Sequence, residues 1–315
     1  MDTKPDLNGI ITLDTHYVSQ GIAAAYLLES KGKYALIETG TAPQIGQMLA
    51  QLKSANVDLS AIELIVPTHV HLDHAGAVGH WANLLPHAKV FCHPRGLKHL
   101  LDTSALESSA RAVYGEAFDT LYGTLRHVPA DQICALHDGE SLALNGRVLL
   151  ARHVRGHADH HLCIWDEQSR SWFTGDAFGI SYAHLRKGTW PFSLPATTPT
   201  QFDPELASTA IDALCSVKPK WIYPTHFGRM PFDLRTAETL KSQLNAYARL
   251  SAPEDALKAI QEITLEHLLT CMRRDTAEQC LTGLSADLEL NSQGVVYRIQ
   301  KLRQKRAQNH SDALT

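Results

Sequence analysis

The sequence predicts a layered α/β fold followed by a helical C-terminal extension, and three observations carry that prediction. Along the first half of the chain, short apolar runs of strand length alternate with segments whose apolar residues recur at helical spacing. Asn145-Gly146 and the stretch 166–170 each separate two such runs, as hairpin turns do. From about residue 253 the strand signals stop and helical spacing alone remains.

In chain order, residues 9–13 form a short apolar run and 21–28 an uninterrupted one, which suits a strand buried on both faces. Residues 34–37 follow across the turn-like 30–33, and Gly40 closes the strand. Ile45, Met48, Leu49 and Leu52 are spaced as one face of a helix over 42–52. Residues 64–66 form a compact strand; a helix starts near Gly76 and carries Val78, Trp81 and Leu84; 88–92 is a further strand, and 104–123 is helical. Residues 141–154 pair around Asn145-Gly146, and 162–165 pairs with 171–173. Residues 187–204, rich in Pro and Thr and without periodicity, form a long ordered loop. A helix over 204–216, a strand at 221–223 and a helix over 234–250 complete this part. Beyond Pro253, the residues Leu257, Ile260, Ile263 and Leu268, and later the segment 295–302, keep helical spacing. The expected division is a catalytic domain over 1–250 and a helical extension over 251–315.

Composition narrows the function classes. A hydrophobic fraction of 44% with 20% charged residues is that of a soluble globular chain, and a formal charge of -4 gives no reason to expect nucleic acid or an anionic membrane as partner. No apolar run approaches the roughly 20 residues a membrane helix needs. The start, MDTKPDLNGI, lacks the pattern of a signal peptide, so a cytoplasmic location is expected. Cys92, Cys134, Cys163, Cys215, Cys271 and Cys280 are scattered without a C-x-x-C pair, as reduced thiols are. The basic run 301–306 reads as a solvated helix end, where cations are favoured. A small molecule is the expected partner, and the extension is a candidate homodimer interface.

The chemistry concentrates at Thr68-His69-Val70-His71-Leu72-Asp73-His74-Ala75-Gly76, an H-x-H-x-D-H pattern between a strand and a helix. In extended chain alternate side chains point the same way, so His69 and His71 can grip one ion, while the turn into the helix swings Asp73 and His74 to a neighbouring position. Imidazole and carboxylate suit zinc, iron or manganese. Three later segments bear the same ligand types: Gly156-His157, Gly175-Asp176 after the strand 172–173, and Thr225-His226 after the strand 221–223. His160 and His161 stand close enough in sequence to compete with His157 for that role.

These four segments in this order resemble the metallo-β-lactamase superfamily over residues 9–230, and within it a glyoxalase II-like branch of metallo-hydrolases. The resemblance implies a four-layer αββα sandwich and two divalent metal ions, zinc first, with iron or manganese as alternatives. It implies that His69, His71 and His157 bind one ion, that Asp73, His74 and His226 bind the other, and that Asp176 bridges them. Asp73 would also orient the attacking hydroxide. Glu38 stands where the family usually has Asp, Val154-Arg155 replaces a frequent Thr-Pro, and Ala77 replaces a second glycine; none of these removes a ligand.

The implied activity is hydrolysis by a metal-bridging hydroxide, on a small ester, thioester or lactone. The alternatives are a phosphodiesterase, an oxidoreductase like the single-iron persulfide dioxygenases, and a regulatory protein with a vestigial site. Trp190, Phe192 and Phe202 would either line a substrate pocket or pin their loop to the core, and Tyr182 is a candidate oxyanion donor.

Overall fold

The computed structural model describes residues 4–197 and 199–312. By its internal contacts the chain divides into two units. The first comprises the chain up to His153, His160–Gly175 and Pro219–Phe232; the second comprises Val154–Asp159, Asp176–Lys218 and the chain from Asp233 onward.

The first unit holds two six-stranded mixed sheets. One runs in the order β1 (Ile10–Asp14), β2 (Ala24–Ser30), β3 (Lys33–Ile37), β4 (Ile62–Val66), β5 (Lys89–Cys92) and β6 (Ile133–Ala135). Its first three strands are antiparallel neighbours, and β3 to β6 are parallel. The other contains β7 (Ser141–Leu144), β8 (Arg147–Val154), β9 (His161–Asp166), β10 (Ser171–Gly175), β11 (Trp221–Pro224) and β12 (Met230–Pro231), also in chain order. There β10 and β11 are parallel, while β9–β10 and β11–β12 are antiparallel. The β7–β8 hairpin turns on Asn145 and Gly146, both at positive φ, as a two-residue turn of matching twist requires.

The sheets meet through aromatic rings. Tyr26 of β2 lies 5.4 Å from Phe173 of β10 and 5.3 Å from Tyr223 of β11, centroid to centroid, and its hydroxyl donates to the Pro224 carbonyl. Arg147 adds a polar tie: it pairs with Asp166 at 2.5 Å and donates to the Glu29 carbonyl across the interface at 2.8 Å. Both charged side chains are buried.

Helices of this unit are α1 (Ile45–Ser54), α2 (Leu72–Ala75), α3 (Val78–Leu84), α4 (Pro94–Leu101), α5 (Ser104–Tyr114) and α6 (Ala117–Leu121). Met48 and Leu52 of α1 and Trp81 of α3 join Leu27, Leu36, Ile65 and Val90 of the first sheet in one apolar core. Helix α4 has Pro94 in its first turn and the His93 ring accepting the Arg95 N–H, a local start signal that strand–helix alternation alone does not reveal. The helix expected over 104–123 is two helices, because Gly115 takes φ +52 between them.

The second unit is helical: α7 (Pro204–Ser216), α8 (Leu234–Ala248), α9 (Ala256–Cys271), α10 (Arg274–Gly283) and α11 (Ser285–Asp312). Asp203 and Asp233 cap α7 and α8 by accepting the N–H of Leu206 and Arg235. The Pro/Thr-rich loop is ordered, as its sequence suggests. Ile180 and Leu194 bridge as two strand residues, Phe192 is fully buried, and the Arg235 guanidinium lies 4.6 Å over the Trp190 ring. Among the described residues no helix is long and apolar enough to cross a membrane.

Candidate metal centre

Strand β4 ends at Val66, and Thr68 to His71 carry the chain into α2, so the first four candidate ligands sit at the carboxyl edge of a parallel strand. In the first unit one ligand atom each from Asp73, His74 and His226 lies within 4.8 Å of the other two. The Asp73 Oδ2 atom is 3.4 Å from His74 Nε2 and 3.2 Å from His226 Nε2. His226 leaves the end of β11, so this trio joins two sheets.

The tautomers of both rings follow from their outer partners. His226 Nδ1 lies 2.8 Å from the Ile22 carbonyl, which can only accept, so Nδ1 carries the proton. His74 Nδ1 lies 2.9 Å from Glu38 Oε1, and the carboxylate fixes the same tautomer. Both Nε2 lone pairs therefore turn toward Asp73. This is how proteins hold imidazoles that bind metal.

Glu38 is the buried hub of the arrangement. It accepts the Thr68 N–H at 3.1 Å, the Thr68 hydroxyl at 2.6 Å and the Thr225 hydroxyl at 2.8 Å, besides the His74 ring. It thereby ties the ends of β3, β4 and β11 to one carboxylate. It sits at φ +67, a conformation few non-glycine residues adopt.

Because the Thr68 proton goes to Glu38, the Thr68 oxygen accepts from His69 Nδ1 at 3.0 Å. His69 Nε2 then faces His71 Nδ1 at 2.8 Å. The His161 ring stacks on His69 with centroids 4.7 Å apart, and His160 Nδ1 lies 3.5 Å from the Val70 nitrogen. A Cβ on Gly175 would fall 2.4 Å from the Thr68 hydroxyl and 2.6 Å from His161 Nε2, which explains the glycine before Asp176.

In the second unit His157 Nε2 faces Asp176 Oδ2 at 3.4 Å, and both side chains are buried. His157 Nδ1 donates to the Ala196 carbonyl at 2.9 Å, again leaving Nε2 inward. The glycine before it has a physical reason: a Cβ on Gly156 would lie 2.2 Å from the Ala207 nitrogen in the first turn of α7. A small crevice adjoins these two residues, lined by Arg155, Ala196, Ile211, Leu240 and Leu244 among others. Trp190, Phe192 and Phe202 do not line it; Phe192 and Phe202 are core residues. Tyr182 donates its hydroxyl to Asp287 at 3.0 Å, so that proton is committed within the second unit.

The donor set fits a divalent ion. Two donors about 2.0–2.1 Å from one tetrahedral ion sit about 3.3 Å apart. The Asp73–His226, Asp73–His74 and His157–Asp176 pairs, at 3.2, 3.4 and 3.4 Å, match that edge, while His69 and His71 at 2.8 Å stand at hydrogen-bond distance. One feature that motif reading does not reach is a tyrosine cluster near Asp73. The Tyr17 and Tyr122 hydroxyls are 2.9 Å apart, and the Tyr114 ring lies edge-on to Tyr122 at 5.0 Å. Burial, with the Tyr17 and Asp73 charges adding, pushes the Tyr122 phenol far up, so it stays protonated.

Comparison with known proteins agrees with this geometry. The family model of the metallo-beta-lactamase superfamily matches residues 18–226. Metallo-beta-lactamase fold-containing protein ST1585 of Sulfurisphaera tokodaii is 24% identical over 210 residues, covering 66% of this chain and 73% of that protein. The crystal structure of ST1585 from Sulfolobus tokodaii superposes with a TM-score of 0.63 at 20% identity, covering 92% of this chain and 99% of that one. The metallo-beta-lactamase family protein TTHA1429 of Thermus thermophilus gives 0.62 at 22% identity, covering 94% of each. These structural likenesses establish the fold. The atrochrysone carboxyl ACP thioesterase of Claviceps purpurea is 28% identical over 148 residues, which is 46% of this chain and 36% of that protein.

Proposed function

The chain belongs to the metallo-beta-lactamase superfamily, and from that premise we propose that it is a binuclear metal-dependent hydrolase acting on a small ester, thioester or lactone. One observation carries the reading: the Nε2 atoms of His74 and His226 converge on one Asp73 oxygen while each Nδ1–H is held from outside. In this reading His69, His71 and His157 would hold one ion, Asp73, His74 and His226 would hold the other, and Asp176 would serve both. Two divalent ions held there, zinc first and iron or manganese as alternatives, would supply hydroxide near neutral pH and polarise a substrate oxygen.

The protein's own groups do the rest. Glu38 and the Ile22 and Ala196 carbonyls keep three imidazoles in the ligating tautomer, so no reorganisation is needed when substrate arrives. Asp73, the more exposed of the two aspartates, orients the nucleophile. Beside His157 and Asp176 the wall is apolar, formed by the buried Ile211, Leu240 and Leu244. Partial similarity to an acyl-carrier-protein thioesterase supports the acyl-ester class.

A panel of small thioesters, esters and lactones tests the reading. Wild-type turnover should fall at least about a hundredfold in Asp176→Ala, with a lower metal content, because the lost ion supplies several kcal/mol of transition-state stabilisation. Full activity in that variant overturns the assignment.

A further inference from the structure

Asn291 of the helical extension holds the loop segment that carries Ala196. Its Nδ2 donates to the Pro195 carbonyl at 2.7 Å, and its Oδ1 accepts the Thr197 N–H at 2.9 Å. The Thr197 hydroxyl also donates to the Asn291 side-chain and backbone oxygens, each at 3.0 Å. Asn291 is 2% exposed. Pro195 and Thr197 flank Ala196, whose carbonyl accepts His157 Nδ1–H at 2.9 Å. Asn291 thus clamps both neighbours of the residue that fixes a candidate ligand.

The clamp needs close approach, and the helix provides it. One turn after Asn291 stands Gly294, where a Cβ would lie 2.1 Å from the Thr197 carbonyl oxygen. No side chain larger than hydrogen leaves α11 at this distance. Neither Asn291 nor Gly294 belongs to the H-x-H-x-D-H pattern or its three downstream segments. Their spacing of three places both on one face of α11.

We propose that Asn291 is a positioning residue for the ion held by His157: it fixes Ala196, which fixes the tautomer and aim of the His157 ring, so the C-terminal extension is part of the metal centre. This rests on the reading of His157 as a ligand. Removing a partner that orients a ligand lowers metal affinity about 10- to 100-fold. The ion held by Asp73, His74 and His226 has its outer contacts at Glu38 and Ile22 instead, so its affinity is the internal reference.

The experiment is titration of the metal-free full-length chain with Zn²⁺ against a competing chelator, for wild type, Asn291→Ala, Gly294→Ala, His157→Ala and the double variant Asn291→Ala/His157→Ala. Two steps are expected for wild type. Asn291→Ala should weaken one step about 10- to 100-fold and leave the other within about twofold, and Gly294→Ala should act in the same direction. In the His157→Ala background the Asn291 substitution should change nothing further, which a merely structural role would not produce. Wild-type affinity for both ions in a folded Asn291→Ala chain overturns the proposal, as does equal weakening of both steps. A wild-type chain that takes up no zinc removes the ligand reading itself, and this inference with it.

Discussion

Replacing Glu38 by Ala removes the acceptor of four buried donors: the Thr68 N–H and hydroxyl, the Thr225 hydroxyl and the His74 ring. Each donor left dry costs about 1–3 kcal/mol, and water entering the vacated space recovers part of that, so the net loss of stability is about 3–5 kcal/mol. That is a large share of the roughly 5–15 kcal/mol a folded domain has. The same substitution frees the His74 tautomer and should lower zinc affinity about 10- to 100-fold. Glu38→Gln separates the two effects. It keeps the shape and one oxygen, but sets an NH₂ group against the Thr68 N–H, a donor facing a donor. Its cost should be about 1–3 kcal/mol. Urea unfolding of the metal-free chains and chelator competition with zinc measure the two quantities. A Glu38→Ala chain with wild-type stability and zinc affinity would refute this role of Glu38, which accepts from all three segments.

Further outcomes follow from the same structure. Arg147→Ala should cost about 3–5 kcal/mol in chemical denaturation, since it strands the buried Asp166 carboxylate; replacing both partners by apolar residues should cost less. His184 has its imidazole pKa held below the ordinary 6.5, first by burial and then by Lys187. The unfolded chain therefore takes up that proton more readily than the folded one. Stability is intact above pH 6.5 and falls as pH drops through and below it, and urea midpoints of His184→Gln should lose part of this acid-side slope. Burial pushes the Cys92 thiol up to about 12, and holds the fully buried Cys163 well above its usual range. A thiol reagent at about pH 8 should label the exposed Cys134 in the native chain and spare both until denaturant is added.

Most of the fold was legible in the sequence because its signals are local. Asn145-Gly146 marks its hairpin through two positive-φ residues, and the α7 boundaries follow from the Asp203 cap and Pro204. The run 21–28 reads as a strand buried on both faces, and β2 lies at Ala24–Ser30 with that burial. What escaped depends on partners distant in sequence or on very short elements. Strand β6 is three residues with one buried apolar side chain, so it lacks the apolar run that marks the other short strands. The break at Gly115 is a single backbone conformation inside an otherwise helical pattern. At the candidate centre, the glycines before His157 and Asp176 were visible as motif letters, but their reasons lie in Ala207, Thr68 and His161. Glu38 was recognisable as a position and not as a hub, since its four donors come from three separated segments. Asn291 carried no sequence signal, because its meaning depends on a loop 94 residues away. Tyr182 shows the converse: nearness in sequence to Asp176 suggested an oxyanion donor, and its hydroxyl is spent on Asp287.

Elemental analysis of the purified chain decides whether the proposed centre holds two ions. About two equivalents of zinc, manganese or iron per chain are expected, falling to about one in Asp73→Ala, whose carboxylate is proposed as a ligand of one ion only. A folded wild-type chain that holds no such metal after dialysis against each of the three ions would contradict the two-ion centre.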